Sequence, residues 1–356
     1  MRPSDPLLIF GATGYTAGLI LEVAQRTGLV PIVSARHPQR LAAVAARFGF
    51  EQRLASLDDP ASLRRALAGI RVVLNAAGPF VTTTPPLLQA CLEAGAHYLD
   101  ISGEVKAFEL AAQHHAAARD ANLTLLPGVG FDVVPSDCLC VHVQRRLPGA
   151  QKLRIAVSGL DLMSPGSVRS LVAELGQQTK ARRAGALQDM PPGSLVRNFD
   201  FGTGPRACVA VSWGDLVTAH YSTGVPDIET YFEATPAIWA VTQASRSFGF
   251  LYELPWVKAG LQRQTQLFRP VPTLAERSAR RACVVVEAED AAGRIAASSL
   301  TTPEAYTLTA ETAIAISKRV LSGDVEPGFQ TPARLFGPNF ILGFAGVSRA
   351  DLETKT

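Results

Sequence analysis

Gly11, Gly14 and Ala17 stand three residues apart, directly behind the apolar run Leu7-Leu8-Ile9-Phe10. Small residues at that spacing build a turn that receives a diphosphate. Gly11 permits the tight exit from a strand, Gly14 lets the backbone approach a pyrophosphate, and Ala17 lets the next helix pack closely on the strand. The anion then rests on unpaired N–H groups at the positive end of a helix dipole. Thr13, Tyr15 and Thr16 complete the loop.

The residue after the second strand of such a unit reads the ribose. A carboxylate there accepts from a 2′-hydroxyl, whereas an arginine pairs with a 2′-phosphate. This sequence has Arg36 and, four residues on, Arg40, with no acid between Glu22 and Glu51. NADP is therefore the expected cofactor. Open α/β sheets bind ligands at the carboxyl ends of their strands. Further contacts are expected from Asp58, from Asn75, Ala76, Ala77 and Gly78, from Ser102 and Gly103, and from Phe131.

Hydride transfer needs a proton source beside the cofactor. None of the six tyrosines has lysine four residues later, so a Tyr-x-x-x-Lys mechanism is excluded, and no Gly-Lys-Ser/Thr phosphate loop occurs. The six histidines lack metal-ligand spacing, and no metal is expected. The acid–base candidates are Asp100, Glu104, Asp132 and Asp137, with Tyr98 beside them. Glu104 or Asp132 is expected to supply or relay the proton. The structural alternatives are that Asp132 and Asp137 cap turns or helices, and that Glu104 is a first-turn acid of the helix after it.

Alternating strands and helices must hold these residues. Runs at 7–10, 31–35, 72–74, 97–101 and 123–126 read as buried strands, and Leu19, Ile20, Val23 and Ala24 form one helical stripe. Asp59-Pro60 reads as an N-cap with a first-turn proline, and a helix is expected over 105–121. These strands alternating with helices imply a doubly wound parallel sheet of Rossmann type. The rhythm breaks near residue 150. Strands at 153–157, 195–199, 208–211, 217–221, 228–232, 283–288 and 295–299, with helices over 167–181 and after Pro236, imply an inserted α+β domain on a mostly antiparallel sheet. A long helix starting at Thr302-Pro303-Glu304 returns to the first domain. The expected division is 1–150 with 302–356 for the nucleotide domain and 151–301 for a substrate-binding and dimerisation domain.

The 356 residues carry a net charge of +3, with arginine pairs scattered along the chain, so no nucleic-acid partner is expected. Five cysteines fit no disulfide framework, and Cys138 and Cys140 read as buried thiols of a reducing compartment. The first apolar run is too short for a signal peptide, and no stretch reaches the length of a membrane span; cytoplasm is the expected location. Residues 248–257 form a dense aromatic-aliphatic run. Its readings are buried core, a lid over an apolar substrate, a dimer contact, or a peripheral membrane contact.

Gly-Ala-Thr-Gly-Tyr-Thr-Ala at 11–17, Asn-Ala-Ala-Gly-Pro-Phe at 75–80, Tyr-Leu-Asp-Ile-Ser-Gly-Glu at 98–104 and the block at 128–137 resemble the saccharopine dehydrogenase-like oxidoreductases. Trp-Gly-Asp at 213–215 and the segment 221–229 are similar to the bacterial branch that includes trans-acting enoyl reductases. The resemblance covers nearly the whole chain. It implies an NADP-dependent reductase, often a homodimer, acting on a C=C or C=N bond of a small or lipid-like metabolite. A saccharopine reductase-type amino-acid enzyme and a non-catalytic NADP-sensing protein are the alternatives.

Overall fold

The computed structural model describes residues 6–252, 254–265 and 271–353. The chain forms two compact units, residues 1–132 with 306–335 and residues 133–305 with 336–356.

The first unit begins with β1 (Leu7–Phe10), α1 (Tyr15–Arg26), β2 (Ile32–Ala35), α2 (Pro38–Phe48), β3 (Gln52–Leu54) and α3 (Pro60–Leu67). It continues with β4 (Val72–Asn75), α4 (Phe80–Ala94), β5 (His97–Asp100), α5 (Val105–Gln113), α6 (His115–Asp120) and β6 (Thr124–Leu126). Every residue of β1, β2, β4, β5 and β6 is buried, as strands covered on both faces require. Asp59 caps α3 as its residue type predicts, accepting from the N–H groups of Ala61 and Ser62. Gly49 and Gly95 close α2 and α4 in the left-handed conformation. The expected single helix over 105–121 breaks at His114.

The second unit holds α7 (Val134–Arg146), β7 (Ala150–Ser158), α8 (Pro165–Glu174), β8 (Thr179–Arg183), β9 (Ala186–Met190), β10 (Val196–Asp200) and β11 (Pro205–Ala210). Then come α9 (Asp215–Thr223), β12 (Asp227–Glu233), α10 (Pro236–Tyr252), α11 (Pro255–Thr265), α12 (Leu274–Ser278), β13 (Arg281–Asp290) and β14 (Ile295–Pro303). The chain goes back to the first unit with α13 (Ala305–Leu321), β15 (Gly328–Phe329) and α14 (Pro332–Phe336), and β16 (Ser348–Leu352) ends in the second.

The first sheet has the order β15-β6-β5-β4-β1-β2-β3, with every pairing parallel. Strand order reverses between β1 and β4, the switch point where such sheets open a crevice. The second sheet runs β10-β11-β12-β7-β13-β14-β16, with β8 and β9 joined through β12. It is antiparallel except for β12 on β7. Phe199, Cys208, Tyr231, Val285 and Ala156 pack together on it.

Several expectations are corrected. The run 217–221 is helix α9, not a strand: Asp215 lies in its first turn and left-handed Gly224 closes it. The helix expected over 167–181 stops at Glu174, and β8 and β9 form a hairpin. β14 extends to Pro303, so α13 starts later than Thr302. The division at 150 and 302 also moves. Helix α7 packs on β13 and β14, and β16 adds an edge to the second sheet, so both belong to the second unit. Buried core fails for the run 248–257: Phe250 is 70% and Trp256 72% exposed, with Glu253 outside the described residues.

Candidate functional site

The turn after β1 has the geometry its glycines predict. Gly11 adopts φ +81°, and a Cβ there would lie 2.7 Å from the Cβ of Ala77, so only glycine fits against the loop after β4. The N–H groups of Gly11 and Ala12 donate to Ser34 O at 2.8 and 3.0 Å, and that of Gly14 donates to Gly11 O at 3.0 Å. Helix α1 starts at Tyr15 with Gly14 as its cap, so no side chain caps it, and its first turn has no acid. First-turn amides have no acceptor inside a helix, and here the dipole end is open to an anion. Thr13, Tyr15 and Thr16 are partly exposed around it. Tyr15 meets Tyr306 of α13 edge to face, with ring centroids 5.2 Å apart.

Arg36 follows directly on β2. Its Nε lies 3.2 Å from His37 Nε2. Arg36 and Arg40 are both exposed, and among the described residues neither is paired with a carboxylate. Two uncompensated guanidinium groups beside a sheet edge suit a phosphate. Asp58 is exposed in the loop before α3.

The loop after β4 is organised from within. Asn75 is fully buried: its Nδ2 donates to Thr83 Oγ1 at 3.1 Å and to the Tyr98 hydroxyl at 3.2 Å, and its Oδ1 accepts from Ala77 N–H at 3.0 Å. Asn75 thus shapes the loop, while Ala76, Ala77 and Gly78 form its accessible rim. Ser102 is buried too, and its Oγ accepts from Glu104 N–H at 3.0 Å.

An acidic group lies behind these loops. The Tyr98 hydroxyl donates to Asp100 Oδ2 at 2.8 Å. Asp100 Oδ1 accepts from the N–H groups of Ser102 and Gly128 at 3.0 and 2.9 Å. Burial pushes the Asp100 carboxyl up to about 6 although these bonds favour its charge. Glu104 uses one oxygen to accept from Phe80 N–H at 3.0 Å and the other from Val81 N–H at 2.7 Å. It caps α4, whose own N-cap residue, Pro79, has no side-chain oxygen. Asp132 ends the loop after β6. Burial first, then the charges of Glu104 and Asp100, push its carboxyl up to about 7. Asp137 is in the first turn of α7, where its Oδ1 accepts from Ser222 Oγ at 2.5 Å.

Two residues of this region escaped the sequence reading. Thr309 Oγ1 accepts from Phe131 N–H at 2.9 Å, and Thr312 Oγ1 donates to Val129 O at 2.8 Å. Both lie on α13 and brace the 128–131 loop. A Cβ on Gly130 would lie 2.9 Å from Thr309 Cγ2. The only trace in sequence is a pair of threonines three apart on one helix face.

A doubly wound sheet with a glycine turn, an open helix end and a pair of arginines after β2 defines a dinucleotide-binding domain of Rossmann type. Residues 7–126 match the family described as saccharopine dehydrogenase NADP binding domain. The cofactor class is therefore a nicotinamide dinucleotide.

The human saccharopine dehydrogenase-like oxidoreductase is 28% identical over 216 residues, which cover 53% of this chain and 50% of that protein. The trans-acting enoyl reductase of Mycobacterium ulcerans (strain Agy99) is 32% identical over 148 residues, 39% of this chain and 35% of that protein. The chain thus spans about half the length, or less, of the relatives it matches. Among solved structures, saccharopine dehydrogenase (L-Glu forming) from Saccharomyces cerevisiae shares the fold, with TM-score 0.64 and 12% identity over 98% of this chain and 100% of that one. Among the described residues no helix is long and apolar enough to cross a membrane.

Proposed function

We propose that this chain is an NADP(H)-dependent reductase of a C=C or C=N bond in a small or lipid-like metabolite. The observation that carries the reading is the joint one at β1 and β2. A glycine-only turn leads into an uncapped helix, and two arginines with no carboxylate partner among the described residues follow the neighbouring strand. The first feature receives a diphosphate, and the second favours a 2′-phosphate over a bare ribose.

A reduced nicotinamide supplies a hydride when bound. What the chain must add is a proton for the other end of the bond being reduced. Glu104 is poorly suited to give it, since both its oxygens are already engaged as acceptors of backbone N–H bonds. Asp132 suits the task. With its carboxyl pushed up to about 7, it is substantially protonated at neutral pH. Asp100 and Glu104 then act as neighbours that hold the Asp132 proton in place. Relatives named as oxidoreductases, one of them an enoyl reductase, support the reaction class.

Calorimetry of the full chain with NADPH and NADH tests the cofactor reading, with tighter NADPH binding expected. No binding of either would overturn it. Binding without NADPH consumption across enoyl and imine substrates would instead favour a sensor of the nucleotide.

A further inference from the structure

Among the described residues, helices α10 and α11 carry the most exposed aromatic surface. No described residue of α10, a 17-residue helix of largely apolar composition, is buried. Among the described residues, every exposed Trp or Phe lies in this stretch: Trp239 (40%), Phe248 (54%), Phe250 (70%) and Trp256 (72%). Leu251 and Leu254 are exposed between them. Helix α10 kinks at Phe248, where the backbone leaves helical values, so the aromatic residues cluster around a bend.

Charge marks the same segment. From Ala234 to Ala275 the sequence has four bases, Arg246, Lys258, Arg263 and Arg269, against one acid, Glu253. The resulting +3 equals the net charge of all 356 residues, so the remainder of the chain is balanced. Arg246 and Arg263 are exposed, and among the described residues neither is paired with a carboxylate. Exposed Trp, Phe and Leu beside unpaired bases match the layered chemistry of an anionic bilayer surface. Aromatic rings settle at the headgroup level, acyl chains accept the aliphatic side chains, and lipid phosphates meet the guanidinium groups. Neither helix is long and apolar enough to span the bilayer, so the fitting geometry is one lying in its surface.

We infer that helices α10 and α11 form a peripheral docking surface for anionic phospholipid membranes. This goes beyond the reductase reading and does not depend on it. The test is co-sedimentation of the full chain with large vesicles of phosphatidylcholine alone or of phosphatidylcholine with one-third phosphatidylserine, with tryptophan emission read in parallel.

Wild type is expected to partition into the phosphatidylserine vesicles, with a blue shift of emission. The doubly substituted Phe250→Ser, Trp256→Ser chain should lose that partition at least about tenfold, and Arg246→Gln, Arg263→Gln should lose it about fivefold, as molar salt does for wild type. All four positions are exposed, and circular dichroism with an NADPH titration checks that the fold is retained. Equal partition of wild type and the aromatic variant, preference for neutral vesicles, or no sedimentation would overturn the inference. So would a wild-type dimer by light scattering that the aromatic variant breaks while vesicles bind neither, since a second copy would then be the occupant.

Discussion

Val81 donates its backbone N–H to a carboxylate oxygen of Glu104 at 2.7 Å, across 23 residues of sequence. This bond, with its companion from Phe80, fixes the start of α4 to the loop after β5. It also places a negative charge near Asp132, where that charge raises the proton affinity of the second acid.

Glu104→Gln should therefore move two readouts. Exchanging a charged acceptor for an amide, one end of which is a donor facing a donor, is expected to cost about 1–3 kcal/mol in urea unfolding. The same change removes a neighbouring charge, so the Asp132 carboxyl should titrate at lower pH. A pH profile that stays in place would show that the two acids are uncoupled.

Asp132 sets the expected pH dependence of reduction. The active form is the protonated one, so turnover should fall as pH rises through about 7. Asp132→Asn should lower kcat by about 100-fold or more and remove that limb of the profile. Stability follows the same direction with pH, so the substitution acts on it in the opposite sense to its effect on kcat. Above the ordinary value of 3.8 the unfolded chain ionises Asp132 while the folded chain holds it protonated. Folding stability is therefore lost from about pH 4 up to about 7, with a ceiling on the order of 4 kcal/mol that residual solvent contact reduces. Asp132→Asn should then be more stable than wild type at pH 8, by thermal or urea unfolding. A variant less stable there would contradict the origin assigned to the raised value.

Arg36→Ala is expected to weaken NADPH binding about 10- to 100-fold and leave NADH nearly unchanged. Adding Arg40→Ala should bring the two nucleotides close to parity. Calorimetry at moderate salt measures both, and an undiminished preference for NADPH would move the 2′-phosphate contact elsewhere.

Gly11→Ala combines a positive φ with a Cβ placed 2.7 Å from that of Ala77. The loops after β1 and β4 must part to admit it. A loss of about 1–3 kcal/mol and of nucleotide binding together is expected. Gly18→Ala, on α1, meets nothing within 4 Å and serves as the control.

The first sheet was readable because its parallel strands are buried on both faces and its helices end at glycines such as Gly49 and Gly95, so apolar runs and stops coincide. The second sheet was less so. In β9 only Leu187 and Met190 are less than exposed, which leaves the β8–β9 hairpin without an apolar signature. The segment at α9 alternates as a strand would, and only Asp215 and Gly224 betray the helix. In the site, the glycine turn and the arginines are local signals. The cap that Glu104 supplies to α4, and the support that Thr309 and Thr312 give to the 128–131 loop, are not. Such partners are chosen by topology, and spacing along the chain does not name them.

The order in which the last segments are laid down has a consequence for biosynthesis. β14 has one neighbour, β13, until β16 arrives some fifty residues later, after α13 and β15 have been made. A nascent chain emerging from the ribosome therefore displays a long, bare β-edge throughout that interval, the kind of edge that recruits other chains. Truncation ahead of Ser348 would make this transient state permanent, and inclusion bodies, rather than a smaller soluble protein, are the product to look for.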